Sequence, residues 1–214
     1  MPNPRPPRRP TAKDAKREAT RARLLDAARR LFAEYGYSGV STTEIAREAG
    51  VTHGAIHAHF HSKAGLLFAL ISQSKETQTE AAEVVARTDG DCAARLKAII
   101  EVFLRHDLAD LELLGVMQAY AWQWPYDHEA QNQEQLAAAL SPVRTVLDDA
   151  VSRGELDPAF DRDRAIRIIF AIYTQGVRAA IYEDATMKEC LAEILAQIRM
   201  LLKGNRAADS TVQP

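Results

Sequence analysis

An all-α fold is predicted for this chain by three observations. Apolar residues recur at i, i+3, i+4 and i+7 along most of its 214 residues, no alternating strand pattern of useful length interrupts them, and the stretches between are rich in helix caps and breakers. The same signals divide the chain into a basic arm at 1–12, a three-helix head at 13–62, a larger helical body at 63–204 and a polar tail at 205–214.

The elements follow in order. Five of the first ten residues are proline, interleaved with Arg5, Arg8 and Arg9, and such a segment cannot bury enough surface to fold alone. Thr11 and Asp14 form a variant capping box. Leu24, Ala28, Leu31, Phe32 and Tyr35 mark the buried stripe of the first helix, and Gly36 ends it. Ser41-Thr42-Thr43-Glu44 opens a short second helix through Ala49. Gly50-Val51 is the turn, Thr52 is placed to cap a third helix, and Phe60-His61-Ser62 breaks it. Ser62 then caps a long fourth helix running to about Val85.

Beyond the loop Thr88-Asp89-Gly90-Asp91, Leu96, Ile99, Ile100, Phe103 and Leu104 form one stripe. Leu111, Leu114 and residues 118–122 lie on another helix. After a break at Pro125 and Asp127, a long helix is expected to reach Arg153 with a kink at Pro142, and Gly154 stops it. Asp161 opens a helix, Arg162 to about Asp184, that is apolar on every side between Ile168 and Tyr173. A final helix, Glu189 to Lys203, carries Leu191, Ile194, Leu195, Ile198, Leu201 and Leu202.

Composition narrows the function. The chain is 47% apolar and 26% charged, as soluble globular proteins are. No apolar run approaches the ~20 residues a membrane span needs, and the basic, Pro-rich start lacks the apolar core of a secretory signal. Cys92 and Cys190 stand far apart without CxxC spacing, which fits a reducing cytoplasm and structural thiols rather than a disulfide framework or a redox sensor. The net charge of −2 conceals an asymmetry: residues 1–68 hold 12 Lys and Arg against 6 Asp and Glu, and the remainder hold 15 against 23. A basic first third on an acidic body suggests that the first third meets a polyanion.

Residues 42–61 supply the motif. Where two helices cross closely the fifth position must be small, and it is Ala46. The ninth must tolerate a left-handed backbone, and it is Gly50. Positions facing the first helix must be apolar, and Ile45, Ala49, Val51 and Ile56 are. These constraints describe a helix-turn-helix. The run from Thr42 to Lys63, Thr-Thr-Glu-Ile-Ala-Arg-Glu-Ala-Gly-Val-Thr-His-Gly-Ala-Ile-His-Ala-His-Phe-His-Ser-Lys, resembles the signature of the TetR (tetracycline repressor) family, and Leu24 to Val40 resembles that family's first helix. The resemblance implies an all-helical homodimer with a DNA-binding head and a ligand-binding body.

In the third helix, Thr52 to His59, His53, Gly54 and Ala55 are the candidates to read base edges, with Thr43 reaching a base or phosphate. Thr42, Thr52, His57, His59 and Lys63 are the candidates for phosphate contacts. Two positions depart from the family: His57 stands where it commonly has Tyr, and His53 where Lys or Arg commonly follows the cap. Histidine titrates near neutrality, so operator affinity is expected to rise as pH falls from 8 to 6. Metal binding by His53 and His57, four apart, or by His57, His59 and His61, lacks an acidic or Cys partner nearby. No metal site is expected. The Arg-rich arm has two readings, a minor-groove contact or a solubility tail.

For the body, the resemblance places Phe103, His106, Met117, Tyr120, Trp122, Trp124, Tyr126 and Tyr173 on helices that surround a ligand cavity; plain core packing is the other reading of such aromatic stripes. His106 and His128 are read as satisfied or exposed histidines, the other reading being that one of them orients a polar group of the ligand. Small residues Gly176 and Ala180 suit a close partner helix, so the last two helices would form a four-helix bundle from two copies, the alternative being that both close the monomer core. Two reading helices would then sit about one DNA turn, ~34–36 Å, apart or somewhat more, on a palindromic operator. GxSxG, P-loop, Rossmann and HExxH patterns are absent, so no enzyme activity, catalytic residue or cofactor is expected. The expected partners are duplex DNA, a second copy and an unidentified small molecule, in the cytoplasm and without a membrane. The resemblance also implies that ligand shifts the fourth helix, a lever of ~35 Å. A constitutive helical DNA-binding or interaction protein without an effector is the alternative.

Overall fold

The computed structural model describes residues 11–120 and 129–204, and within them the regular structure is helical: α1 Ala12–Tyr35, α2 Thr42–Glu48, α3 Gly54–Phe60, α4 Lys63–Ala86, α5 Cys92–Leu108, α6 Leu111–Tyr120, α7 Glu129–Ala139, α8 Ser141–Ser152, α9 Arg162–Gly176, α10 Arg178–Tyr182 and α11 Met187–Lys203. The chain packs as two units that divide between Ile71 and Ser72, inside α4 rather than at its start. The arm through Pro10, the tail from Asn205, and Trp122, Trp124, Pro125, Tyr126, Asp127 and His128 lie outside the described residues, as does the Tyr120 side chain.

In the head, local chemistry places the helix ends. Thr11 and Asp14 close a reciprocal capping box on α1, and Ser41 and Glu44 close one on α2. Leu24, Leu25, Ala27, Ala28 and Phe32 of α1 are buried with Ile45, Ala46 and Ile56, each large side chain contributing about 1.5–3 kcal/mol by leaving water. Tyr35 does not join that stripe. It is 57% exposed.

Gly50 takes φ +63°, and the Val51 amide donates back to the Ala46 carbonyl at 3.0 Å, ending α2 as the motif requires. The start of α3 differs from expectation. His53, not Thr52, is the residue before the helix, its backbone is already helical, and no side chain caps the first turn. The Thr52 and His53 carbonyls receive the amides of Ala55 and Ile56, so α3 begins with a tight turn instead of a hydroxyl cap. Between α3 and α4, His61 adopts φ +64° and the Ser62 amide reaches the Phe60 carbonyl at 2.7 Å. That γ-turn is strained for a non-glycine residue. Ser62 Oγ then accepts from the Gly65 amide, and a side chain at Gly65 would overlap the Phe60 carbonyl.

The body is built on α5, α8, α9 and α11, which share a core that includes Leu96, Ile99, Ile100, Leu104, Val143, Val146, Leu147, Ile169, Ile194 and Ile198. Arg95 is buried and caps the end of α4: its Nε and Nη2 donate to the Ala86 carbonyl, while Nη2 also meets Asp149 at 2.9 Å. Three boundaries depart from the sequence prediction. Pro142 does not kink a long helix; the chain turns at Leu140 and Pro142 lies in the first turn of a new one, α8, as suits a residue without an amide donor. The helix after Asp161 breaks at Val177 into α9 and α10. The last helix begins two residues before Glu189, capped by a Thr186–Glu189 box.

Gly176 and Ala180 do not face a partner helix. Both are buried in the body, and a Cβ on Gly176 would overlap Ile194 Cγ1 and lie 2.7 Å from its Cδ1. The missing side chain lets α9 approach α11 of the same chain.

Candidate functional site

The head presents one edge of α3. Ile56 and Phe60 are buried and fasten it to the head, while Thr52, His53, Gly54 and His57 are exposed and Ala55 and His59 are half-buried. Burying one side of a seven-residue helix dictates which side remains open. His53 and His57 are neighbours on that open side, their ring centroids 6.5 Å apart in an edge arrangement. Thr43, exposed at the start of α2, shares a 3.4 Å hydrogen bond with His53 Nδ1, and Thr42 is half-buried. His59 points toward α1, where burial, then Arg17 and Arg21, hold its pKa below the usual histidine value, against Glu18. Among the described residues no group of three or more His, Cys, Asp or Glu is placed to hold a metal.

Lys63 is used differently from the rest. Its ammonium donates at 2.8 Å to the carbonyls of both Tyr37 and Val40 and sits 4.3 Å from the centre of the Tyr37 ring. Burial lowers its pKa. Two of its three N–H donors are therefore spent tying the start of α4 to the loop between α1 and α2, which leaves one for a phosphate.

In the body, the described pocket candidates gather about a residue that no sequence motif singles out. Asp107, buried on α5, accepts from Lys75 Nζ at 2.9 Å, Gln78 Nε2 at 2.8 Å and the Tyr173 hydroxyl at 2.7 Å. Lys75 also donates to Gln78 Oε1, and Gln78 to the Phe103 carbonyl. Phe103 meets the Tyr173 ring edge-on at 5.8 Å. Burial first, then the Asp107 charge, raises the Tyr173 pKa far above its ordinary value, so the hydroxyl stays a donor. His106 shares a 3.0 Å hydrogen bond with Ser74. A recess of about 10 Å³, room for one water, is lined by Ser74, His106, Asp107, Asp110, Leu113, Leu114 and Met117. Asp107 was legible in principle. It continues the Ile99, Ile100, Phe103, Leu104 stripe, and an acid on an apolar stripe demands partners.

Exposed turn-helix chemistry on a basic head, joined to a helical body with a polar centre, defines a DNA-binding transcription regulator. Residues 24–70 match the family model described as bacterial regulatory proteins, tetR family. The chain is 30% identical over 166 residues to the HTH-type transcriptional regulator TtgR of Pseudomonas putida, covering 75% of this chain and 79% of that protein. It is 28% identical over 169 residues to the HTH-type transcriptional activator FasR of Mycolicibacterium smegmatis, covering 78% and 73%. Among solved structures, FadR from Bacillus subtilis in complex with stearoyl-CoA aligns with a TM-score of 0.74 at 22% identity, over 86% of this chain and 98% of that one. The chain belongs to the tetR family of bacterial regulatory proteins.

Proposed function

We propose that the chain is a ligand-responsive repressor that holds a palindromic operator as a homodimer and releases it when a small molecule occupies the body. The observation that carries this is the open edge of α3, where His53, Gly54 and His57 face solvent while Ile56 and Phe60 anchor the helix. His53 reads base edges, with Gly54 and Ala55 permitting close approach and Thr43 reaching a base or a phosphate; Thr42, Thr52, His57 and His59 hold phosphates, with the remaining Lys63 donor beside them. Repression needs only that bound protein exclude polymerase from an overlapping site. Activation, as the name of the FasR relative records for that protein, needs an additional contact surface.

Homodimerisation is supported by the outer faces of α9 and α11. Ala192, Ala196 and Met200 form an exposed row on α11, with Met200 77% exposed, and Ile168 and Ala171 are exposed on α9. Apolar residues in such rows at helical spacing fit a two-copy bundle. The effector enters beside Asp107, where Phe103, His106, Met117 and Tyr173 meet polar groups. FadR, in the solved complex, holds stearoyl-CoA; by likeness the effector has an apolar body and a polar head, and the one-water recess beside Asp107 has to widen to admit it. No described helix is long and apolar enough to cross a membrane, and we place the protein in the cytoplasm.

The test is selection of duplexes from a random library, followed by titration with the purified chain. His53→Ala is expected to weaken binding and relax preference at one position in each half-site, and a thermal-shift screen then supplies molecules to test for release. Failure of the unaltered chain to enrich any duplex sinks the proposal.

A further inference from the structure

Helix α1 runs three turns past the core it serves. Its buried residues begin at Leu24, and none from Ala12 to Arg23 is buried, a stretch of ~18 Å. An isolated extension of that length is marginal in water and needs a use. The row that faces the core as Phe32, Ala28 and Leu24 or Leu25 continues toward the N-terminus in steps of three and four as Arg21, Arg17 and Lys13. The same side of the helix thus changes from apolar to basic where the core stops.

That basic row meets the trailing end of α3, on which α1 packs. The Arg21 guanidinium lies 5.6 Å from the centre of the Phe60 ring. Arg17 and Arg21 both act on His59, opposed by Glu18, which pairs with Arg21 at 3.6 Å. Two guanidiniums and an imidazole thus share one corner of the head. The two guanidiniums repel each other and an anion relieves that repulsion, while the imidazole, whose pKa they help to lower, adds a hydrogen-bond donor. Guanidinium also matches phosphate oxygens two at a time.

We infer that Arg17 and Arg21, with His59, form a phosphate-binding cluster that carries the DNA contact beyond α3 onto the backbone flanking each half-site. This rests on the DNA-binding function proposed above. Such contacts fix position without reading sequence, so the cluster acts on affinity and salt dependence and leaves base preference unchanged.

The experiment uses the full chain and a fluorescent duplex selected from the random library, with affinity measured between about 50 and 300 mM KCl. Each phosphate contact contributes about 0.9 to the slope of log affinity against log salt. Arg17→Gln/Arg21→Gln is expected to lower that slope by about 1.8 for each bound protomer, roughly a 30-fold loss at about 0.15 M salt. Arg17→Lys/Arg21→Lys, which keeps both charges, is expected to retain the parent slope. If the glutamine variant keeps the parent slope, or the lysine variant loses as much of it, the cluster is not a phosphate site and the inference falls while DNA binding stands. If the unaltered chain binds no duplex at all, both fall.

Discussion

Replacing Asp107 is the most demanding test of the body. Its carboxylate accepts from Lys75, Gln78 and Tyr173, and its side chain is 5% exposed while that of Lys75 is 24% exposed. Asp107→Ala leaves the buried Tyr173 hydroxyl without an acceptor, which costs about 1–3 kcal/mol. Breaking a buried ion pair costs about 3–5 kcal/mol in all. Lys75 keeps the Gln78 carbonyl oxygen and reaches some water, which screens the loss, so the lower end applies. The expected destabilisation is about 3 kcal/mol, or a midpoint lower by about 6–12 °C for a chain of this size. Thermal and urea unfolding followed by circular dichroism measure it. The double variant Asp107→Leu/Lys75→Met is expected to be more stable than Asp107→Leu alone, because it removes the orphaned ammonium together with its partner. A loss below about 1 kcal/mol in Asp107→Ala, or a double variant weaker than the single, refutes the reasoning.

Three further outcomes are expected. Lys63→Met removes two charge-assisted hydrogen bonds to the Tyr37 and Val40 carbonyls, about 1.5–3 kcal/mol each at most; hydrogen exchange of the head amides should quicken, and unchanged protection would argue against the clamp. The folded-state pKa of His59 is depressed, first by burial. Its contribution to stability is therefore complete above the ordinary histidine pKa and is lost as pH falls below it, so urea midpoints should drop from about pH 7.5 to about pH 5 in the parent and less in His59→Gln. Burial, then Glu155 and Asp91, push the Cys92 thiol up to about 12, and burial raises Cys190 as well. Both should resist a disulfide reagent at about pH 8 in the native chain and react in guanidinium, since the thiolate is the reacting form.

What could be read from the sequence was whatever depends on near neighbours. Caps at Thr11, Ser41 and Ser62 and the glycines at Gly36 and Gly50 act over three or four residues, so the helix ends of the head emerge from spacing alone, as do the cap at Asp161 and the stop at Gly154 in the body. The Asp107 network joins residues 29 to 66 positions apart, and no local pattern pairs them. Lys63 looked like a surface lysine at a helix start, because its carbonyl partners lie 23 and 26 residues earlier in a loop. The breaks at Leu140 and Val177 were hidden by helical periodicity that continues across them. His53, Gly54 and His57 could be assigned to the open edge because the apolar positions of α3 leave them no other side.

Gly176 carries a consequence for variation. With Ile194 filling the space a Cβ would need, positions 176 and 194 share one fixed volume. A relative that gains a methyl at the first is expected to carry a smaller side chain at the second, and Gly176→Ala should be tolerated better beside Ile194→Ala than beside the parent isoleucine. Two residues on different helices are thus expected to vary as one unit of inheritance, a coupling set inside the core of the body.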